Sequence, residues 1–263
     1  MAGERLTVAA GCTDLFAATE RKILPGPVLD ISGIGTLRGI SRDANGIRIG
    51  AATTWAQIRD TALPPAFDGL KLAAREVGAR QIQNRGTLGG NLCNASPAAD
   101  GVPPLLTLDA EVELASLRGT RRLPLADFLT GPRKTARAAD ELLTAIHVPA
   151  AATEGEGHFL KLGARTYLVI SIAMCAARLV VRDGLVTQAA LAIGACSPVA
   201  TRLPEAEAAL LGHPPDPTRI ADALVATRLA PIDDPRADAA YRTRAAADLM
   251  RRTVAAIARE AVS

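Results

Sequence analysis

The chain has 263 residues, room for one large domain or two ordinary ones, and its 49% hydrophobic and 22% charged residues suit a globular protein with a real core. Lys plus Arg number 30 against 27 Asp plus Glu, and the basic residues are spread out, which argues against the clustered basic stripe of a nucleic-acid binder. Aromatics are only 3%, so the interior must be aliphatic, and the longest apolar run, Tyr167 to Ala177, is far short of the ~20 residues a membrane span needs.

Along the chain, Leu6 to Ala10 reads as a short strand, broken by "GCTDL", Gly11 to Leu15. The residues before it, Met1 to Leu6, hold no signal-peptide core. "PVLDIS", Pro27 to Ser32, is a second strand. "GIGTLRG", Gly33 to Gly39, resembles a dinucleotide fingerprint but puts Arg38 at the third glycine and leads into no helix, so it reads as a turn. "GIRIGA", Gly46 to Ala51, is a strand entered through Asn45-Gly46. Thr54 and Gln57 have capping-box spacing at the start of a helix. A second helix covers Phe67 to Val77, with Leu70, Ala73, Ala74 and Val77 on one face. A polar, glycine-rich stretch follows, "QNRGTLGGNLCNASPAAD", Gln83 to Asp100, read as a loop until Ser96 and Pro97 open a helix running to about Leu106.

Ala110 to Ser116 alternates as a strand, Thr120 to Leu125 is its return, and Glu141 to Pro149 is one more. Polar Ala151 to His158 marks a domain boundary, dividing the chain into 1–153 and 154–263. Beyond it, apolar Leu168 to Val181 turns at Asp183-Gly184 into "LVTQAALAIGA", a hairpin. Pro204 opens a short helix, His213 to Pro217 is a loop, and the tail is helical from Ala237. Tyr241, Ala245, Leu249 and Ile257 form its apolar stripe, with Arg242, Arg244, Arg251 and Arg252 away from the centre.

Two turns suit anions. In "VAAGCTDL" a strand ends at small residues, Gly11 allows a tight turn whose amides form a concavity, and Thr13 can donate its hydroxyl. In "GTLGGN", Gly86 to Asn91, Gly89 and Gly90 let a ligand oxygen approach bare backbone. Each alone also reads as a plain turn; together they suggest two sides of a pyrophosphate clamp. Asp100 would repel phosphate, so it is read in two ways: as an acceptor for ribose hydroxyls, or as a carboxylate complementing a helix dipole. Cys12, Cys93, Cys175 and Cys196 form no CxxC pair, so neither zinc nor an iron–sulfur cluster has ligands at a usual spacing, and free thiols in a reducing cytoplasm are expected. His147, His158 and His213 are isolated, no nucleophile–base pair is legible, and no catalytic or metal-binding residue is assigned.

The strings "AAGCTDL", "IGAATTWAQI", "QIQNRGTLGGNLCNASPAADGVPPLLTLDAEVEL", "LADFLTGPRKT", "ELLTAIHVP", "FLKLGARTYLVISIAMCAARL" and "YRTRAAADLMRRTV" span nearly the whole chain. Together they resemble the FAD-binding medium subunit of the molybdenum hydroxylases, the xanthine dehydrogenase and carbon monoxide dehydrogenase family. The resemblance implies an α+β fold: a two-domain flavoprotein with an N-terminal FAD-binding α/β domain of two subdomains and a C-terminal domain whose small antiparallel sheet packs on helices. It places the first phosphate turn at Val8, Ala9, Ala10, Gly11, Cys12, Thr13 and Asp14, and the second at Thr87, Leu88, Gly89, Gly90 and Asn91. Asp100 becomes the ribose-side acid, and Val77, Leu143 and Lys161 border the flavin; a cation at Lys161 would favour an anionic reduced flavin, while the residue also reads as a surface lysine on a strand.

The implied function is a cytoplasmic oxidoreductase subunit with FAD as its cofactor. It would pass electrons from 2Fe-2S clusters on a small partner subunit to a terminal acceptor, with the molybdenum cofactor on a large partner subunit, and with neither nucleic acid nor a membrane span involved. The sequence departs from the family in three places. Cys12 stands where most relatives have a second glycine. Few residues precede the first turn, which implies an abbreviated first subdomain leaning on a partner chain. Val77 stands where some relatives place an aromatic. Two rival readings are an independent FAD-dependent oxidase and a scaffolding subunit that has lost FAD.

Overall fold

The computed structural model describes residues 6–20, 23–24 and 26–260; residues 1–5, read for a signal-peptide core, lie outside them. Strands β1 (Thr7–Ala9) and β2 (Val28–Asp30) make a two-stranded parallel sheet, Thr7 opposite Val28. Residues 33–39 are a turn, as predicted, and lead into the hairpin of β3 (Ile40–Asp43) and β4 (Gly46–Gly50). Gly46 takes φ +134° at its corner, a conformation open to glycine, and a Cβ there would overlap the Val148 carbonyl.

Helix α1 (Trp55–Asp60) begins at the predicted capping box: Gln57 N donates to Thr54 Oγ1 at 3.3 Å, and Thr54 N donates to Gln57 Oε1 at 2.9 Å. Helix α2 (Asp68–Glu76) buries Leu70, Ala73 and Ala74. Two short helices follow, α3 (Arg80–Arg85) and α4 (Leu88–Asn94), so the stretch expected to be a glycine loop is largely helical. Local propensity misleads here, since each glycine costs a helix about 1 kcal/mol against alanine. Packing overrides it. Leu88 and Leu92 are buried, and Gly89 lies so close to β4 that a Cβ would stand 2.7 Å from the Ala51 carbonyl oxygen. Ala95, at φ +46°, ends α4.

The helix expected from Ser96 begins only at Val102, as α5 (Val102–Thr107). Ser96 caps a turn instead, taking Ala98 N on its Oγ at 3.3 Å and Ala99 N on its carbonyl at 3.0 Å. Pro103 and Pro104 occupy the first turn of α5, where a missing N–H removes no helical bond.

Strands β5 (Glu111–Ser116) and β6 (Gly119–Pro124) form the next hairpin, then come α6 (Leu125–Phe128), β7 (Leu129–Gly131), β8 (Lys134–Thr135) and β9 (Leu142–Pro149). The main sheet of this half is antiparallel, ordered β3-β4-β9-β5-β6. Strand alternation sends Ile47, Ile49, Val112, Leu114, Ile146 and Val148 to the face that packs on Trp55, Leu70, Leu88 and Leu105. Each such side chain, fully buried, contributes roughly 1.5–3 kcal/mol.

The second half holds β10 (Glu156–Leu162), β11 (Ala173–Arg182), β12 (Leu185–Gly194) and β13 (Thr201–Arg202) in one antiparallel sheet of that order. The apolar run from Leu168 becomes strand only at Ala173; Leu168 itself sits at φ +55°, outside the extended region. The predicted β11–β12 hairpin turns at Asp183 and Gly184, both at positive φ. Helices α7 (Pro204–Leu210), α8 (Asp222–Ala226) and α9 (Ala239–Glu260) cover this sheet. The stripe of α9 is rotated from the expected one: Ala246, Leu249, Met250, Val254 and Ile257 are buried while Tyr241 is exposed. Arg242, expected away from the core, is 2% exposed. Apolar periodicity cannot see a buried guanidinium whose Nη1 finds two carbonyls and whose Nη2 finds the Asp234 carboxylate.

The halves join closely. Gly157 lies against the Ala66 backbone, and Gly69 against His158. Arg178 of β11 donates to Thr107 O at 2.8 Å, and Arg202 of β13 donates to Leu106 O at 2.9 Å and Asp109 Oδ1 at 2.7 Å. The whole is the expected α+β architecture. Among the described residues no helix is long and apolar enough to cross a membrane.

Candidate functional site

The turn after β1 and the segment before α4 meet directly. A Cβ on Gly11 would fall inside the Arg85 carbonyl and 2.9 Å from Gly86 Cα, so only glycine permits this approach. Across the same junction, Thr13 Oγ1 lies 3.4 Å from where a Gly86 side chain would begin. Trp55 N donates to Gly86 O at 3.2 Å, which anchors the second segment to the start of α1.

The junction forms one wall of a cleft of about 890 Å³. Val8, Ala10, Gly11, Cys12, Thr13 and Asp14 line it from the first turn. Thr87, Gly89, Gly90 and Asn91 line it from the second, and Val77, Leu143, Asp100 and Lys161 complete the predicted set. Ala9 and Leu88 do not line it. Strand alternation turns Ala9 inward, and Leu88 belongs to the core beneath α4.

The two turns differ in free donors. The amides of Gly11, Cys12, Thr13 and Asp14 donate to no acceptor among the described residues. In the second turn four of the five amides are occupied: Leu88 N by Thr53 O at 3.0 Å, Gly89 N by Ala51 O at 2.8 Å, Gly90 N by Thr87 Oγ1 at 3.2 Å and Asn91 N by Thr87 O at 3.0 Å. Cys12 takes φ +60°, and its Sγ lies 3.6 Å from its own turn's Ala10 carbonyl. Asn91 offers the opposite kind of group, a buried Oδ1 with no hydrogen-bond partner among the described residues.

On another side of the cleft, Lys161 and Asp100 form an ion pair at 2.9 Å, with side chains only 6% and 14% exposed. Lys161 is therefore a buried member of β10, not a surface lysine. Asp100 precedes α5 in a turn and does not sit in its first helical turn. Burial pushes the Asp100 carboxyl up, and the Lys161 ammonium and the Ser171 hydroxyl pull it back. Glu76, at the end of α2, is also raised by burial, in the opposing fields of Lys161 and Asp100.

Several lining residues escaped the sequence reading, among them Trp55, Ile82, Cys93, Arg133 and Arg137. Arg137 donates to Glu141 O at 2.6 Å, and Arg133 to the Asn94 side chain. Trp55, Ile82, Cys93 and Arg133 lie within strings that carry the family resemblance, though none is singled out there; Arg137 lies outside them. Among the described residues no cluster of His, Cys, Asp or Glu could hold a metal, and all four cysteines are free.

A cleft with a row of free amides, an apolar wall and a buried carboxylate near a lysine can grip a diphosphate and accept from sugar hydroxyls. Similarity to known proteins agrees. Residues 1–151 match the family model of the FAD binding domain in molybdopterin dehydrogenase, and residues 158–257 match the CO dehydrogenase flavoprotein C-terminal domain. The chain is 38% identical over 184 residues to the xanthine dehydrogenase FAD-binding subunit of Escherichia coli O157:H7, a match covering 68% of this chain and 63% of that one. It is 31% identical to the nicotine 6-hydroxylase medium subunit of Paenarthrobacter nicotinovorans, over 94% of this chain and 87% of the relative. A chain of the carbon monoxide dehydrogenase of Hydrogenophaga pseudoflava superposes with a TM-score of 0.90 at 28% identity, covering 97% of this chain and 90% of that one.

Proposed function

Because the chain belongs to the family of FAD-binding medium subunits of the molybdenum hydroxylases, we propose that it is the electron-transfer flavoprotein subunit of such a complex. In this reading a small subunit carries 2Fe-2S clusters, a large subunit carries the molybdenum cofactor, and electrons leave through FAD to a terminal acceptor in the cytoplasm. The observation that carries it is the run of amides from Gly11 to Asp14, residues that line the cleft, with no acceptor among the described residues. A diphosphate supplies the acceptors those donors lack.

Each side of the cleft has a task. The first turn grips the diphosphate, with Val8, Ala10, Gly11, Cys12, Thr13 and Asp14 around it. Thr87, Gly89, Gly90 and Asn91 shape the opposite side, where the amides from Leu88 to Asn91 are already engaged, and Ala9 and Leu88 support them from beneath. Asp100 accepts from sugar hydroxyls, while Val77, Leu143 and Lys161 border the ring system. Bound FAD supplies the interchange between one- and two-electron carriage. The protein orients it, excludes water, and sets the local charge through Lys161 and Asp100. No acid–base residue is required of this chain. We divide it at 153/154, a division supported by each main sheet having most of its own core, with Ala192 joining the first core and Ala73 packing on Phe159, Met174 and Ala176 across the boundary.

The test is to purify the chain with its co-expressed partners and add the complex's reducing substrate without oxygen. The flavin absorbance should bleach, at a rate that falls when the iron–sulfur subunit is left out. Bleaching of the isolated chain by a small organic substrate would favour the independent oxidase, and colourless protein that takes up no FAD would leave the scaffold.

A further inference from the structure

Asp100 belongs to the first half of the molecule, yet its hydrogen-bond donors come from the second. Lys161 Nζ lies 2.9 Å from Oδ1, and Ser171 Oγ lies 3.3 Å from the same oxygen. Ser171 is 1% exposed and sits just before β11. The other oxygen, Oδ2, has no donor among the described residues, and Asp100 borders the cleft. Behind Ser171, the buried Arg242 fixes the backbone. Its Nη1 donates to Ile172 O at 2.7 Å and to Ala195 O at 3.1 Å, and its Nη2 is held by Asp234 Oδ1 at 2.6 Å. A long helix of the second half thus reaches the cleft by way of Ile172, Ser171 and Asp100.

We propose that Ser171 is a positioning residue for the cofactor: with Lys161 it pins Oδ1 of Asp100, leaving Oδ2 to accept a hydroxyl of the ribose or ribityl chain, and Arg242 holds Ser171 in place. The inference rests on the reading of the cleft as the FAD site. It explains why the second half is needed for a site whose phosphate turns lie wholly in the first.

The titrating environment makes the idea testable. Three groups face the Asp100 carboxylate: Lys161 from β10, Glu76 from the end of α2, and the Ser171 hydroxyl. Burial already raises Asp100, and the hydroxyl is one of the groups that counter it. Removing the hydroxyl lets the proton bind at higher pH. A protonated Asp100 is a poorer acceptor, so FAD affinity falls as pH drops, and that fall moves to higher pH in the variant.

The experiment uses the full-length chain in its complex, stripped of flavin, with FAD binding followed by fluorescence across pH. Ser171→Ala should weaken binding about tenfold at neutral pH, in line with one lost hydrogen bond to a charged group, and should shift the acidic limb upward. Ser171→Thr keeps the hydroxyl and should return the acidic limb to its parental position, although at this buried site both variants should lower the Tm of the flavin-free protein; the movement of the pH profile in Ser171→Ala alone is what marks the positioning role. Wild-type affinity and an unmoved pH profile in Ser171→Ala would overturn the positioning role alone. Failure of the wild-type protein to take up FAD would sink the cofactor reading and this inference with it.

Discussion

Two glycine-bearing segments form one junction, and they use glycine for opposite ends. In the turn after β1, Gly11 brings the chain against Arg85 and Gly86 and leaves four successive amides without partners among the described residues. In the segment opening α4, Gly89 brings a helix against Ala51, and the amides of Leu88, Gly89 and Gly90 are all consumed within the protein. A glycine-rich stretch is therefore not in itself an anion site. What separates the two is where the backbone donors go, and that is settled by packing partners distant in sequence.

The strongest way to break the comparison is at Gly11. Alanine there places a Cβ inside the Arg85 carbonyl, and backbone cannot yield as a flexible side chain would. Gly11→Ala should separate the two segments, lower FAD affinity by a factor on the order of 100 or more, and reduce Tm by several degrees. Calorimetry with a flavin occupancy measurement checks this. An occupied, equally stable variant would mean that the junction does not hold the site together.

Gly90 should respond less. It is exposed, and the one atom that a Cβ there would crowd is Thr87 Oγ1, at 2.8 Å. With FAD in the proposed place, a valine would narrow the cleft beside it and disturb the capping hydroxyl, but leave the Gly11 contact alone. Gly90→Val should lower flavin affinity roughly tenfold with a fold-level cost of about 1 kcal/mol from the weakened cap. Full FAD occupancy with unchanged affinity would remove the second segment from the site and leave the first turn to act alone.

The comparison also explains what the sequence could disclose. Alternating strands, the Thr54 capping box and the Asp183-Gly184 hairpin were legible because their signals are local. So was the first turn, where strand end, glycine and small polar residues coincide. Helix α4 was hidden because two glycines speak against a helix, whereas burial of Leu88 and Leu92 decides for one. The delayed start of α5 was hidden by a serine-proline pair that suits a helix start equally well on paper. Trp55 and Arg137 reach the cleft from separate elements, and Ser171 sits as one polar residue in an apolar run. Their roles rest on contacts between distant segments, which no spacing in the chain encodes.

Cys12 offers the smallest and sharpest test of the first turn. Its φ of +60° costs an L-residue about 1–2 kcal/mol, a strain that glycine does not feel. Glycine also enlarges the unfolded ensemble, giving back about 0.4–1 kcal/mol. Cys12→Gly should therefore raise Tm by no more than about 2–4 °C, the expected response of a chain this long to about 1 kcal/mol. Its effect on FAD depends on where the thiol points. Sγ is drawn back towards the Ala10 carbonyl at 3.6 Å, while the amides of Gly11 through Asp14 remain uncommitted. Their geometry is set by backbone that both residues can adopt, so FAD affinity should stay within about twofold of the parent, by the order of magnitude of one weak contact. A tenfold gain instead would place the thiol in the path of the diphosphate. The free-amide turn would then bind anions despite its side chain, and the contrast with the segment opposite, whose amides from Leu88 to Asn91 are engaged, would be sharper still.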